Sequence, residues 1–131
     1  MISKAELKRI TKLQVKKYRR EANKIITEGY RLVEEALLSD WVVEHVLYTT
    51  EFENNPHAQK LFHLADEHNT AYSEVDDDTF HSISDTIQSQ GVIGVVRVKS
   101  PEEKPEDRIH SAARALYIAV EKLQDPGNLG T

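Results

Sequence analysis

Apolar positions in this chain switch between two spacings, and the switches mark its elements. Ser3-Lys4-Ala5-Glu6 has the form of a capping box, and Leu7, Ile10 and then Leu13 or Gln14 follow at helical spacing, with Lys4, Lys8 and Lys12 at i, i+4 on another face. This predicts a helix from Ser3 to about Val15. The segment Lys16-Lys17-Tyr18-Arg19-Arg20-Glu21 has no apolar period, so the helix is expected to stop or loosen there. Ile25-Ile26-Thr27 reads as a short strand and Glu28-Gly29 as a corner. Tyr30, Val33, Ala36 and Leu37 then form the inner face of a helix ending near Leu38, with Ser39-Asp40 as its exit.

Farther along, Trp41 to Thr49 is rich in β-formers and mostly apolar, as a strand covered on both faces would be. Asn55-Pro56 reads as a helix start, with Ala58, Leu61, Phe62 and Ala65 on one face and Asn69 as the C-terminal cap. Ala71 to Val75 suits a short strand, and Asp76-Asp77-Asp78 suits the cap of a short helix reaching Ile83. Asp85 to Gln90 is a polar loop. Gly91 opens the strand Val92 to Val98, and its two early glycines imply close approach by another part of the chain. Lys99 to Arg108 reads as a linker, and Ala115 to Val120 fits a helix or a strand equally well. Strands alternating with helices define an α/β layered domain with a mixed or parallel sheet.

Composition limits the remaining choices. The 131 residues suffice for one ordinary domain, and no apolar run approaches the ~20 residues of a membrane span. Met1-Ile2-Ser3-Lys4 lacks an apolar core after its charges, so neither a signal peptide nor a membrane is expected, and a cytoplasmic setting is. With no cysteine there is no disulfide, thiol nucleophile or zinc-thiolate site.

The net charge of −5 is unevenly placed. Residues 1–31 hold ten Lys/Arg against three acids, while the rest holds seven against nineteen. Such asymmetry points to an anionic partner at one end or to a solvated basic helix. Within it, Lys8, Lys12, Lys16, Lys17, Arg19, Arg20 and Lys24 are candidate phosphate contacts, and Tyr18 either stacks on a base or packs inward.

His57, His63 and His68 are spaced six and five apart, unlike two ligands on one helical face, so no metal is expected. Asp76-Asp77-Asp78 lacks the glycine and closing glutamate of a calcium loop. Phosphate-loop, dinucleotide and nucleophile-elbow signatures are absent. The final Asp125-Pro126-Gly127-Asn128-Leu129-Gly130-Thr131 is, by physics alone, a turn after an apolar segment.

Three blocks nevertheless carry a resemblance: Ile26-Thr27-Glu28-Gly29-Tyr30-Arg31-Leu32-Val33-Glu34-Glu35-Ala36, Gln90-Gly91-Val92-Ile93-Gly94-Val95-Val96, and Gln124 to Thr131. In order and separation they resemble the SpoU (TrmH) family of RNA 2′-O-ribose methyltransferases, within the SPOUT class. The resemblance implies that residues 1–98 form an RNA substrate-binding domain, a three-layer α/β/α sandwich similar to RNA-binding ribosomal-protein folds. A linker would occupy 99–114, and 115–131 would begin the knotted methyltransferase domain, with its first strand at Leu116 to Leu123. It also implies an RNA partner, in particular 23S rRNA, with Glu28, Gly29, Arg31 and Gln90 joining the basic residues in RNA contact. Asn128 matches the asparagine of the first catalytic motif. The full-length enzyme would use S-adenosylmethionine and act as a homodimer. The sequence stops before the arginine and the later motifs of the cofactor pocket, so no cofactor is expected on this chain and it should be catalytically silent. The other functions kept open are a stand-alone RNA-binding module and a protein-interaction domain.

Overall fold

The computed structural model describes residues 1–99, so the linker beyond Lys99, the segment 115–131 and Asn128 lie outside the described residues. Helix α1 (Lys4–Thr11) is capped by Ser3, whose hydroxyl accepts from the Glu6 amide at 3.1 Å. The Glu6 carboxylate does not complete the capping box and instead stands 3.9 Å from His45 Nδ1.

The first helix stops before Lys16, as expected, but the basic segment that follows is itself helical, which was not expected. α1 gives way to a 3-10 turn at Lys12–Gln14, Val15 is extended, and a second helix, α2 (Lys16–Ala22), follows directly. α2 buries no residue completely, so it leaves no apolar period in the sequence. It is held by Arg19, whose guanidinium donates to the Leu13 and Gln14 carbonyls at 3.0 and 2.7 Å, and by Asn23 in the left-handed region at its end.

The chain continues through β1 (Lys24–Glu28), α3 (Tyr30–Leu38) and β2 (Val42–Tyr48). A one-turn helix not anticipated above, α4 (Thr50–Glu53), starts on the Thr49 hydroxyl and buries Phe52. Helix α5 spans Ala58–Glu67 rather than starting at Pro56. The Asn55 carboxamide is still used, accepting from the His57 amide at 2.9 Å one turn early. Asn69, with φ 53°, ends this helix region as expected. β3 (Ala71–Glu74), α6 (Asp77–Ile83, capped by Asp76 on the Thr79 amide at 2.7 Å) and β4 (Val92–Arg97) complete the unit.

The four strands form a mixed sheet in the order β1-β4-β2-β3, antiparallel except for the β2–β3 pair. Side chains alternate across it into two cores. Val46, Tyr48, Val92 and Val96 meet Val33, Leu37, Leu61 and Ala65 from α3 and α5 on one face. On the other, Leu47, Ile93 and Val95 meet Ile10, Leu13, Phe80 and Ile83 from α1, the 3-10 turn and α6. Helices on both faces of one sheet make the expected α/β/α sandwich. Each large side chain so buried contributes roughly 1.5–3 kcal/mol by transfer from water.

One irregularity interrupts the ladder. Val43 pairs with Val96 and His45 with Val95, so Glu44 is an extra residue in β2, a bulge. The glycines of β4 also mark close approach: a Cβ on Gly94 would stand 2.8 Å from Thr27 Oγ1, and one on Gly91 2.4 Å from Thr49 Oγ1.

Candidate nucleic-acid interface

The residues singled out in the sequence fall into two groups at opposite ends of β1, a five-residue strand spanning on the order of 13 Å. At its far end is the Glu28-Gly29 corner. Gly29 has φ 90° and ψ 153°, a region almost reserved for glycine. Its N–H donates to the Val92 carbonyl at 2.9 Å, carrying the β1–β4 ladder to the point where α3 begins.

The first turn of α3 then lacks a capping side chain of its own. Gln90 supplies one, its side-chain Oε1 accepting from the Tyr30 amide at 2.8 Å. The two sequence blocks around Gly29 and Gly91, already paired along the β1–β4 ladder, are therefore also joined by a side-chain hydrogen bond across sixty residues of chain. Glu28 does similar work on the facing loop, accepting from Ser84 Oγ, from the Asp85 amide at 3.3 Å and from Thr86 Oγ1 at 3.1 Å. Arg31 and Leu32 lie exposed beside this loop, and with Thr86, Gln88, Ser89 and Gln90 they line a shallow surface hollow. Ser84, Thr86 and Ser89 were missed in the sequence; the density of hydroxyls between Ile83 and Gly91 was their only signal.

Removing the Glu28 carboxylate isolates this loop. Glu28→Ala is expected to cost about 1–3 kcal/mol in chemical denaturation, because three donors lose their acceptor. The Asp85 amide should exchange with solvent faster while amides of β4 stay protected. Unchanged exchange at Asp85 would show that the loop is held by something else.

The near end of β1 carries the basic helices. Lys8, Lys12, Lys16, Lys17 and Arg20 are exposed. Tyr18 is half-buried, with the Lys12 and Lys17 ammonium groups 5.3 and 5.7 Å from its ring centre. Arg19 is committed to the carbonyls of the 3-10 turn, and Lys24 to Glu44 at 2.7 Å. Glu44 also receives Arg97 at 2.5 and 3.0 Å. Burial alone would raise the Glu44 carboxyl, but the bonds from Lys24 and Arg97 outweigh it and hold it below the usual carboxylate range. The bulge thus gathers one acid between two bases.

His45, next to it, makes a hydrogen bond to Ser73 Oγ at 2.9 Å. Burial lowers its pKa from 6.5, and the Glu6 charge only partly opposes this. The folded chain consequently binds this proton less readily than the unfolded chain. Stability from this group is complete above pH 6.5 and is lost as pH falls below it. His45→Gln should flatten that part of the stability–pH curve in urea titrations between pH 7.5 and 5; an identical slope in both proteins would exclude His45 as its source.

Of the three other histidines weighed above, His57 stacks on Tyr30 with ring centres 4.3 Å apart, His63 lies 3.4 Å from Glu67, and His68 is exposed at the end of α5. No helix among the described residues is long and apolar enough to cross a membrane.

The mixed sheet between helical layers thus carries basic helices at one end of β1 and, at the other, a glycine corner braced by Gln90. The sequence model of the MRM3-like substrate binding domain matches residues 4–94, and the chain belongs to that family. It is 30% identical over 120 residues to the 23S rRNA (guanosine(2553)-2'-O)-methyltransferase RlmP of Bacillus subtilis, an alignment covering 92% of this chain and 42% of that protein. A solved RNA 2'-O ribose methyltransferase is 25% identical, with a TM-score of 0.68 over 98% of this chain and 46% of its own. The SpoU methyltransferase AviRb of Streptomyces viridochromogenes, solved with AdoMet, shares the fold at 19% identity, with a TM-score of 0.63 over 75% of this chain and 37% of its own. This chain therefore spans less than half the length of these relatives.

Proposed function

We propose that this chain is the RNA-binding portion of an S-adenosylmethionine-dependent ribose 2′-O-methyltransferase, with a guanosine of large-subunit rRNA as the target. The observation that carries this reading is the family match itself: it runs from Lys4 to Gly94, across both the basic helices and the Gly29–Gln90 corner. In this reading residues 1–98 hold the RNA, 99–114 connect, and 115–131 begin the methyltransferase domain with Asn128 in its first motif. The basic helices supply non-specific phosphate attraction, and the corner presents Arg31 and the polar loop to the RNA backbone. The complete enzyme works in the cytoplasm as a homodimer and carries the cofactor outside residues 1–99.

The test has two arms on this same chain. Filter binding with a structured 23S rRNA fragment should show affinity that falls steeply with salt, and calorimetric titration with S-adenosylmethionine should give no binding heat. Absence of RNA affinity at low salt would overturn the RNA reading. One-to-one cofactor binding would overturn the assignment of this chain as the substrate portion alone.

A further inference from the structure

The basic helices do not lie flat on the sheet. Between α1, the 3-10 turn and α2 on one side and β1, β2 and β4 on the other lies a cavity of about 360 Å³, within the size range of small-molecule sites. Its floor is apolar, formed by the buried Ile10, Leu13 and Val95. Two flat rings, Tyr18 and His45, stand in its walls, and burial disfavours protonation of the histidine ring. Arg9 and Lys12 sit on its rim. An apolar floor, aromatic walls and a cationic rim together suit a planar ring joined to a phosphate.

The polar lining narrows the choice of ring. Of the three carboxylates lining it, Glu44 is engaged by Lys24 and Arg97 and Glu6 faces His45 Nδ1 at 3.9 Å, whereas Glu21, exposed on α2, has no cation within ion-pair distance among the described residues. A carboxylate is an acceptor only. Guanine alone among the RNA bases offers it two adjacent donors, N1–H and the N2 amine. Adenine and cytosine set one amine beside a ring nitrogen acceptor, and uracil sets one N–H between two carbonyls.

Resting on the RNA reading above, we propose that this cavity receives an unstacked guanine base of the bound RNA, packed against Tyr18, with Glu21 accepting from its Watson–Crick edge. The domain then reads one base directly instead of only attracting phosphates.

The experiment is an NMR titration of the chain with guanosine, inosine and uridine 5′-monophosphates, which share the same phosphate and sugar. The guanosine nucleotide should shift Tyr18, His45 and Val95 at about tenfold lower concentration than the other two, since inosine lacks the N2 amine. Glu21→Gln should erase that preference while leaving the free spectrum otherwise unchanged. Tyr18→Leu, which keeps the apolar wall but not the ring, should weaken all three nucleotides. Equal response to the three nucleotides, a guanine-specific response elsewhere, or a preference that survives Glu21→Gln overturns the proposal. Binding of the rRNA fragment is followed on the same samples. RNA binding without the guanine preference overturns the base site and leaves the RNA reading standing; loss of both overturns both.

Discussion

Gly91→Ala is expected to be among the most damaging single substitutions in the domain, costing about 3–5 kcal/mol and lowering the melting temperature by roughly 15 °C or more. Two effects combine. Gly91 has φ 76°, which side-chain-bearing residues adopt only under strain, and the added methyl would stand 2.4 Å from Thr49 Oγ1 and 3.3 Å from Phe52 Cβ. Neither neighbour can yield easily. Thr49 is buried and caps α4, and Phe52 is 1% exposed in the core.

Gly29→Ala is the graded comparison. It shares the positive φ, but its methyl meets only the Gln90 side-chain oxygen at 3.1 Å, which can rotate away at the cost of the Tyr30 bond. It should lose about 1–3 kcal/mol. Thermal melts of the two variants beside the parent test the ranking; a Gly91→Ala protein melting within a few degrees of the parent would show that the Thr49–Phe52 turn moves aside.

Reversing four charges on the basic helices should have the largest effect on RNA. The residues are Lys12, Lys16, Lys17 and Arg20, all exposed; Arg19 is left intact because its guanidinium holds the 3-10 turn to α2. With each changed to glutamate, affinity for the rRNA fragment at about 0.1 M salt should fall roughly a hundredfold, and the slope of log affinity against log salt should shrink by roughly 3, since four phosphate contacts no longer release counterions. All RNA sequences should lose affinity alike. Filter binding between 50 and 200 mM salt gives both quantities, and an unchanged slope would remove these helices from the interface. Arg19→Ala, by contrast, should lower stability.

The legible parts of this fold are those where a local cause acts within a few residues. The Ser3 and Asp76 caps, the left-handed Asn69, the Gly29 corner and the strand from Val92 were all visible because each depends on its own side chain or backbone freedom. α2 was hidden because it is held by Arg19 reaching back to carbonyls and not by an apolar face. The onset of α5 moved because Asn55 capped a turn first.

The candidate site divides the same way. Gln90 and Gly29 could be named separately, but that one caps the helix begun by the other depends on β1 and β4 lying side by side. Lys24 and Arg19 were grouped with the free cations by charge alone, and only the fold shows each committed to a neighbour. Glu44 and His45 carried no signal at all, since the bulge that turns them toward the cavity is a property of pairing with β4.

That bulge has a consequence for how strand length can change over time. Val43–Val96 and His45–Val95 are consecutive rungs, so the ladder on either side of Glu44 is already in phase without it. A chain lacking this residue would keep every other side chain of β2 on its present face, and the two cores would not register the loss. In an alignment it would appear as a single-residue gap in mid-strand, a place where insertions and deletions are ordinarily purged. What disappears with it is the acid that Lys24 and Arg97 share. Two cations would then be released beside the cavity mouth, so one codon can alter the electrostatics of this surface while leaving the scaffold unchanged.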